Sequence, residues 1–320
     1  MSTAEWLQPV VPDIAADVAR GLAKTPKSLP PRLFYDAEGS RLFEEITRLP
    51  EYYLTRTEQE ILHEHAREMV ERAGRNLTVV ELGAGTATKT AELLGALARR
   101  QLQLRFYPID VCASALENAR SRLRDQFPNV RVYPIPADFT VGLPEMRNGS
   151  GRKLVLFLGS SIGNFEHEDA VALLRKLRSW LARGDCLLLG ADLVKSAALL
   201  LPAYMDRSGV TERFNKNLLA RINRELGGNF DLRCFRHVAR WNRQRYRMEM
   251  YLESRCEQTI TIAALGMQVR FDRGERIHTE NSYKYTPAVL ASMLREGGWS
   301  SEHTWTDGRR WFAETLARAA

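Results

Sequence analysis

Val79-Val80-Glu81-Leu82-Gly83-Ala84-Gly85-Thr86-Ala87-Thr88-Lys89-Thr90 reads as a buried strand, a glycine turn and the first turn of a helix. Asp110 closes the next apolar run, Leu104-Arg105-Phe106-Tyr107-Pro108-Ile109-Asp110. Glycines let the backbone come close to a ligand, and a helix start offers N–H groups that have no partner within the helix. A carboxylate at the end of the second strand can accept two hydrogen bonds from a ribose diol. A dinucleotide fingerprint would need a third glycine, where this chain has Thr88. The stretch therefore points to an adenosine-containing cofactor, with S-adenosylmethionine favoured over a dinucleotide. A glycine turn between strand and helix is often only a turn, so the downstream order must carry the reading.

A third strand, Val130-Arg131-Val132-Tyr133-Pro134-Ile135, leads to Ala137-Asp138-Phe139, where an acid and an aromatic suit the edge and face of an adenine. A fourth, Lys153 to Leu158, ends in Gly159-Ser160-Ser161-Ile162-Gly163-Asn164-Phe165, and a fifth, Cys186 to Asp192, follows a helix. Apolar strands alternating with helical segments indicate a parallel sheet that binds ligands at the carboxyl ends of its strands. The glycine loop, Asp110, Asp138 and Asn164 all fall at such ends. Acidic-x-Gly-x-Gly is also the usual first motif of class I methyltransferases. The expected fold is α/β: a Rossmann-like class I methyltransferase sheet with a second, α+β substrate-binding domain.

Composition narrows the function. The 320 residues suffice for one large domain or two moderate ones. No apolar run reaches the roughly 18 residues of a membrane span, and the start at Met1 lacks the pattern of a secretory signal. Four cysteines far apart in sequence, with no C-x-x-C, suit a reducing cytoplasm. The net charge of +7 invites a nucleic-acid reading, but the arginines are dispersed among glutamates. The densest cluster, Arg236 to Arg247, has the spacing of a solvated face leading into a strand. His63 and His65 would diverge on a helix and the other histidines show no ligand spacing, so no metal site is expected. The expected partner is a small molecule, not nucleic acid or membrane.

The alternating pattern is interrupted. A helix from about Thr57 to Ala73 enters the sheet domain; residues from about Lys195 to Lys284 form an insertion. That insertion holds helices near Ala197–Met205 and Thr211–Leu226 and a β-rich part at Tyr246–Ser254, Gln258–Ala264 and Met267–Asp272. A helix at Pro287–Glu296 and strand-like pieces at Glu302–Thr306 and Trp311–Leu316 complete the sheet. The expected domains are residues 57–195 with 286–320 for the methyl donor and residues 1–56 with 196–285 for the substrate.

The segments Phe34-Tyr35-Asp36, Leu49-Pro50-Glu51-Tyr52-Tyr53, Glu81-Leu82-Gly83, Ile162-Gly163-Asn164-Phe165, Asp192-Leu193-Val194-Lys195, Phe214-Asn215 and Thr279-Glu280 with Ser282 and Lys284-Tyr285 closely resemble the histidine-specific N-α-methyltransferases of ergothioneine biosynthesis. The resemblance covers nearly the whole chain, insertion included. It implies a monomer that trimethylates the α-amine of L-histidine to hercynine. Carried over by position, Gly83, Gly85, Lys89, Asp110, Asp138 and Phe139 would contact the cofactor, Lys89 through the methionine carboxylate. Asn164 and Tyr204 would bind the histidine carboxylate. Tyr52, Gly159, Ser161 and Met250 would line the substrate pocket. Tyr35 and Phe43 would sit near the reacting amine, and Glu280 and Ser282 would hold the imidazole.

The residue types suit that chemistry. In-line displacement at a sulfonium needs a neutral amine lone pair aimed at the methyl carbon. Each transfer replaces an N–H donor by a methyl, so fixed acceptors would fail after one round. An aromatic face can hold the growing cation at roughly 0.5–2 kcal/mol per contact, though Tyr35 and Phe43 would ordinarily be packing residues. Glu280 and Ser282, two apart in an extended segment, leave the same face and can serve the two ring nitrogens. An isolated strand glutamate is more often solvated. The rivals are an N-methyltransferase of another amino acid such as tryptophan, expected to lack Glu280; a nucleic-acid methyltransferase, which would show an [Asn/Asp]-Pro-Pro-aromatic motif where this chain has Gly163-Asn164-Phe165; and a non-catalytic cofactor-binding module.

Overall fold

The computed structural model describes residues 13–142 and 151–319. The chain divides into two compact units, the first containing Leu54–Val194 and Lys284–Ala320 and the second Pro12–Tyr53 and Lys195–Tyr283. Residues 1–12 of the segment expected in the substrate domain lie outside the described residues.

The first unit is built on one sheet. In chain order its main strands are Leu77–Leu82, Leu104–Asp110, Val130–Val132, Arg152–Phe157, Cys186–Asp192, Trp299–Thr306 and Phe312–Ala319. Across the sheet they run sixth, seventh, fifth, fourth, first, second, third. The first five are parallel; the seventh pairs antiparallel with the fifth and with the sixth. Every residue of Cys186–Asp192 is buried, as a central strand covered on both faces requires. The packed interior draws Leu62, Met69, Leu93, Phe106, Leu156, Leu188 and Phe312 from strands and helices into one cluster.

The expected third strand is broken. It forms Val130–Val132 and a separate Ile135–Pro136, both paired with the second strand. Pro134 between them has no N–H to give the ladder, so Tyr133 and Ala137 bond the second strand on either side of it. The last two strands extend further than Glu302–Thr306 and Trp311–Leu316, because alternate polar residues (Ser300, Glu302, Arg318) mask their ends.

The second unit has a four-stranded sheet in the order Lys27–Ser28, Arg276–Tyr283, Arg247–Ser254, Phe235–Asn242, and a hairpin of Gln258–Ile262 with Met267–Phe271. The arginine-rich segment is thus a strand and turn in its own right, not merely a face leading into one, and Met250 lies in the second strand of the insertion, not its first. Two helices precede the first unit: Ile14–Leu22 and Ala37–Thr47. The second begins at Asp36, which caps Gly39 N–H at 2.7 Å and also accepts from Asn217 Nδ2 at 2.8 Å and Arg224 Nη2 at 2.5 Å. That carboxylate ties the helix to Val210–Leu226, which carries Asn217 and Arg224.

Candidate active site

At the carboxyl end of the first strand, Gly83 takes φ +67°, and a Cβ built there would lie 3.6 Å from the Phe139 ring. Phe139 stands edge-on to Phe157, with ring centroids 5.5 Å apart. Glycine turn and aromatic therefore lie side by side. The helix does not start directly after Gly85; it runs from Thr90 to Ala98, so the loop is longer than the motif suggested.

Asp110 orders that loop. Its Oδ2 accepts Gly85 N–H at 2.8 Å and its Oδ1 accepts Cys112 N–H at 2.9 Å. Burial raises its carboxyl above the ordinary value, and these backbone donors oppose the rise. A carboxylate has about four lone-pair sites, so it can accept these donors and still take a bond from a ribose hydroxyl. Asp138, almost fully buried, uses Oδ1 to accept both Thr140 N–H (2.8 Å) and Thr140 Oγ1–H (2.6 Å), so it shapes its own loop. Lys89, expected opposite a methionine carboxylate, has its ammonium on the carboxylate of Glu58. A second glutamate, Glu81, lies buried beneath the turn.

Glu81 is 3% exposed and its Oε1 accepts Thr90 Oγ1–H at 2.6 Å, which fastens the strand end to the helix start. Burial pushes its carboxyl up to about 8. A raised carboxyl is stabilising in its neutral form: stability is full below the unfolded value and falls as pH rises through about 8. Glu81→Gln keeps a neutral acceptor for Thr90. We expect it to match the native chain near pH 5 and to be more stable by about 3–5 kcal/mol at pH 9. Thermal unfolding across that range checks this; parallel pH curves for the two proteins would remove the assignment.

Of the residues expected to meet the substrate, Gly159, Ser161 and Asn164 belong to the first unit. Gly159 donates its N–H to Glu58 Oε1 at 2.5 Å, Ser161 Oγ donates to Leu158 O at 3.2 Å, and Asn164 ends the short helical turn Ser161–Asn164.

The rest lie in the second unit, where two groups form. In one, Glu280 and Ser282 leave the same face of Arg276–Tyr283, with Met250 directly across from Glu280 and Tyr204 Oη donating to Ser282 Oγ at 2.8 Å. Glu280 is 9% exposed, so it is not the solvated strand residue that its type suggests. Behind Tyr204, His237 donates Nε2–H to Tyr204 O at 2.7 Å and accepts Asn215 Nδ2–H on Nδ1 at 2.8 Å. These partners define a neutral tautomer, and burial lowers the imidazole below its ordinary 6.5. In the other group, Tyr35, Phe43, Tyr52 and Phe214 pack as a chain of aromatic rings: Tyr35–Phe43 at 5.9 Å, Phe43–Tyr52 at 6.2 Å and Phe43–Phe214 at 6.0 Å between centroids.

Sequence reasoning missed Glu58, Phe214 and His237 as parts of these clusters, and Glu314, which converges with Glu58 over Gly190. One signal was visible for Glu314: an acid amid the apolar strand Phe312-Ala313-Glu314-Thr315-Leu316. Glu58 gave none: a helix expected from about Thr57 put it in a first turn, where acids are ordinary, whereas the helix begins at Tyr53.

The strand order with a glycine turn, Asp110 and Phe139 at its carboxyl edge defines a class I S-adenosylmethionine-dependent methyltransferase. A family profile described as histidine-specific methyltransferase, SAM-dependent, matches residues 14–319. The histidine N-alpha-methyltransferase of Mycolicibacterium smegmatis is 46% identical over 94% of this chain and 93% of its own length. Ergothioneine biosynthesis protein 1 of Schizosaccharomyces pombe is 32% identical over 84% of this chain and 36% of its own. The 4-dimethylallyltryptophan N-methyltransferase easF of Epichloe festucae var. lolii is 29% identical over 91% and 90%. The chain belongs to the histidine-specific, SAM-dependent methyltransferase family.

Proposed function

We propose that this enzyme transfers three methyl groups in succession to the α-amino group of L-histidine, giving hercynine, a step in ergothioneine biosynthesis. The observation that carries the reading is the buried carboxylate of Glu280 beside the Ser282–Tyr204 pair on one strand face. A carboxylate can accept one imidazole N–H while the hydroxyl serves the other ring nitrogen. An indole has no second ring nitrogen to answer that pair, so the tryptophan reading, which the 29% identity to easF raises, is the weaker.

Among the chain's residues, Gly83, Gly85, Asp110 and Phe139 suit an adenosine, and Lys89 a carboxylate. Bound there, S-adenosylmethionine supplies an electrophilic methyl. The amine must reach it without its proton. The Tyr35 hydroxyl is the proposed route by which that proton passes to water. The faces of Tyr35, Phe43 and Tyr52 tolerate the growing cation without requiring an N–H that each transfer removes. The first unit is proposed to serve the methyl donor and the second to hold the imidazole. Dispersed charge supports a small-molecule substrate over nucleic acid, and four free thiols support a cytoplasmic setting. A monomer is the state proposed from the family resemblance.

The test supplies labelled cofactor with histidine, tryptophan or bulk RNA in parallel, followed by product mass. Label confined to histidine, ending at a product three methyl groups heavier, is expected. Transfer to tryptophan or RNA in preference to histidine would overturn the proposal.

A further inference from the structure

Beside Lys89 the first unit buries two carboxyl groups that the chemistry above does not use. Glu58, 0% exposed, comes from the helix Tyr53–Ala73 and Glu314, also 0% exposed, from the last strand. A Cβ built on Gly190 would lie 2.7 Å from Glu58 Oε1 and 2.7 Å from Glu314 Oε1, so the two side chains converge over that glycine. Any other residue there would push them apart. Both Glu58 oxygens are engaged: Oε1 accepts Gly159 N–H at 2.5 Å and Oε2 meets the Lys89 ammonium. Neither Glu314 oxygen meets a donor among the described residues, so as a protonated acid it has Glu58 as its hydrogen-bond acceptor.

Two carboxylates this close cannot both ionise in a buried site. One negative charge balances Lys89, and a second would be uncompensated. Burial, then the neighbouring Glu58, holds the Glu314 carboxyl well above the ordinary value, while Lys89 opposes the rise. Across the sheet Glu314 faces Gly190 and Trp305, neither of which is charged. Glu81, which interacts with Lys89, Glu58 and Asp110, is itself shifted upward.

We infer that Glu58 is a positioning residue that holds the Lys89 ammonium and the Gly159 backbone in one geometry, and that Glu314 serves as a neutral acid keeping the Glu58 side chain in place. The inference deepens the proposed role of Lys89 toward the cofactor carboxylate. Two parts of the site, the glycine-turn helix and the end of the fourth strand, are thereby set by one side chain. Glutamine at position 58 cannot do the same, because its single acceptor cannot serve both Gly159 and Lys89.

The experiment measures S-adenosylmethionine affinity by calorimetry, a readout that stands whether or not histidine proves to be the acceptor. Glu58→Gln is expected to weaken binding at least about tenfold, the loss of a charged hydrogen bond. Combined with Lys89→Met, it should add little to the loss from Lys89→Met alone, since both act through one contact. The native chain is expected to lose affinity between neutral and alkaline pH, and Glu314→Gln, which cannot ionise, should flatten that fall. Additive losses in the double variant, or affinity within twofold for Glu58→Gln, would overturn the positioning role. An alkaline profile for Glu314→Gln superimposable on the native one would overturn the neutral-acid role. The Glu314 variant also keeps the inference testable if Glu58→Gln proves unstable.

Discussion

Asp110→Ala is expected to abolish S-adenosylmethionine binding as calorimetry detects it, with the fold retained. The side chain does two things at once. It accepts Gly85 N–H and Cys112 N–H, which fixes the loop, and it is the residue proposed to accept from the ribose hydroxyls. Each charge-assisted hydrogen bond to ligand is worth about 1.5–3 kcal/mol. Losing two costs about 3–6 kcal/mol, or a factor of 10²–10⁴, before any loosening of the loop is counted. Asp110→Asn is the sharper variant. An amide offers one acceptor oxygen where two backbone donors approach from different sides, so its NH₂ must face either Gly85 N–H or Cys112 N–H. Asparagine should therefore fail nearly as badly as alanine, although it is almost the same size. A melting curve within a few degrees of the native chain would show that the loss is local. If either variant binds the cofactor with native affinity, Asp110 does not hold the ribose.

The same residue shows why part of this enzyme could be read from its sequence. Strands covered on both faces need continuous apolar runs, and each such run ended in a turn or an acid at the ligand-binding edge, so Leu77–Leu82, Leu104–Asp110 and Cys186–Asp192 could be placed within a residue or two. Local chemistry also exposed the pairing of Glu280 with Ser282, because alternation along a strand is a rule of geometry. Three features were hidden for different reasons. Pro134 divides a strand whose apolar pattern runs on unbroken. The helix Ala37–Thr47 carries its apolar residues at Leu42, Phe43 and Ile46 amid charged neighbours, and its start depends on an Asp36 cap whose partners Asn217 and Arg224 are far along the chain. Glu58 and Glu314 gain meaning only because folding brings two acids, 256 positions apart by subtraction of their numbers, over one glycine. Contacts of that kind leave no local trace. For the same reason the Phe214-Asn215 pair, conspicuous as a motif, acquires its explanation only in the fold, where Phe214 joins the aromatic rings and Asn215 holds the neutral His237 behind Tyr204.

Glu280→Ala is expected to raise KM for histidine between about tenfold and 150-fold, the loss of one charged hydrogen bond, while S-adenosylmethionine affinity stays within about twofold. The contrast follows from position. Glu280 lies on the strand Arg276–Tyr283 of the second unit, whereas Asp110, Gly85 and Phe139 belong to the first. Its neighbour across the ladder is Met250. Alanine at position 280 removes the proposed contact to the imidazole. Glu280→Gln should fall between, because an amide oxygen still accepts an imidazole N–H but without a formal charge. Selectivity supplies the more decisive measurement. If the carboxylate reads the ring nitrogen, the alanine variant loses discrimination between histidine and an amino acid whose ring lacks that pattern, since the apolar acceptor never made the bond and loses nothing. The ratio of kcat/KM for histidine to that for phenylalanine should therefore fall by the same factor by which histidine KM rises. A variant that turns over histidine with native KM, or that loses both amino acids equally, would place Glu280 in the scaffold and not against the substrate. The second outcome would also move the source of histidine specificity to Ser282 and Tyr204, whose hydroxyls meet at 2.8 Å on the same face.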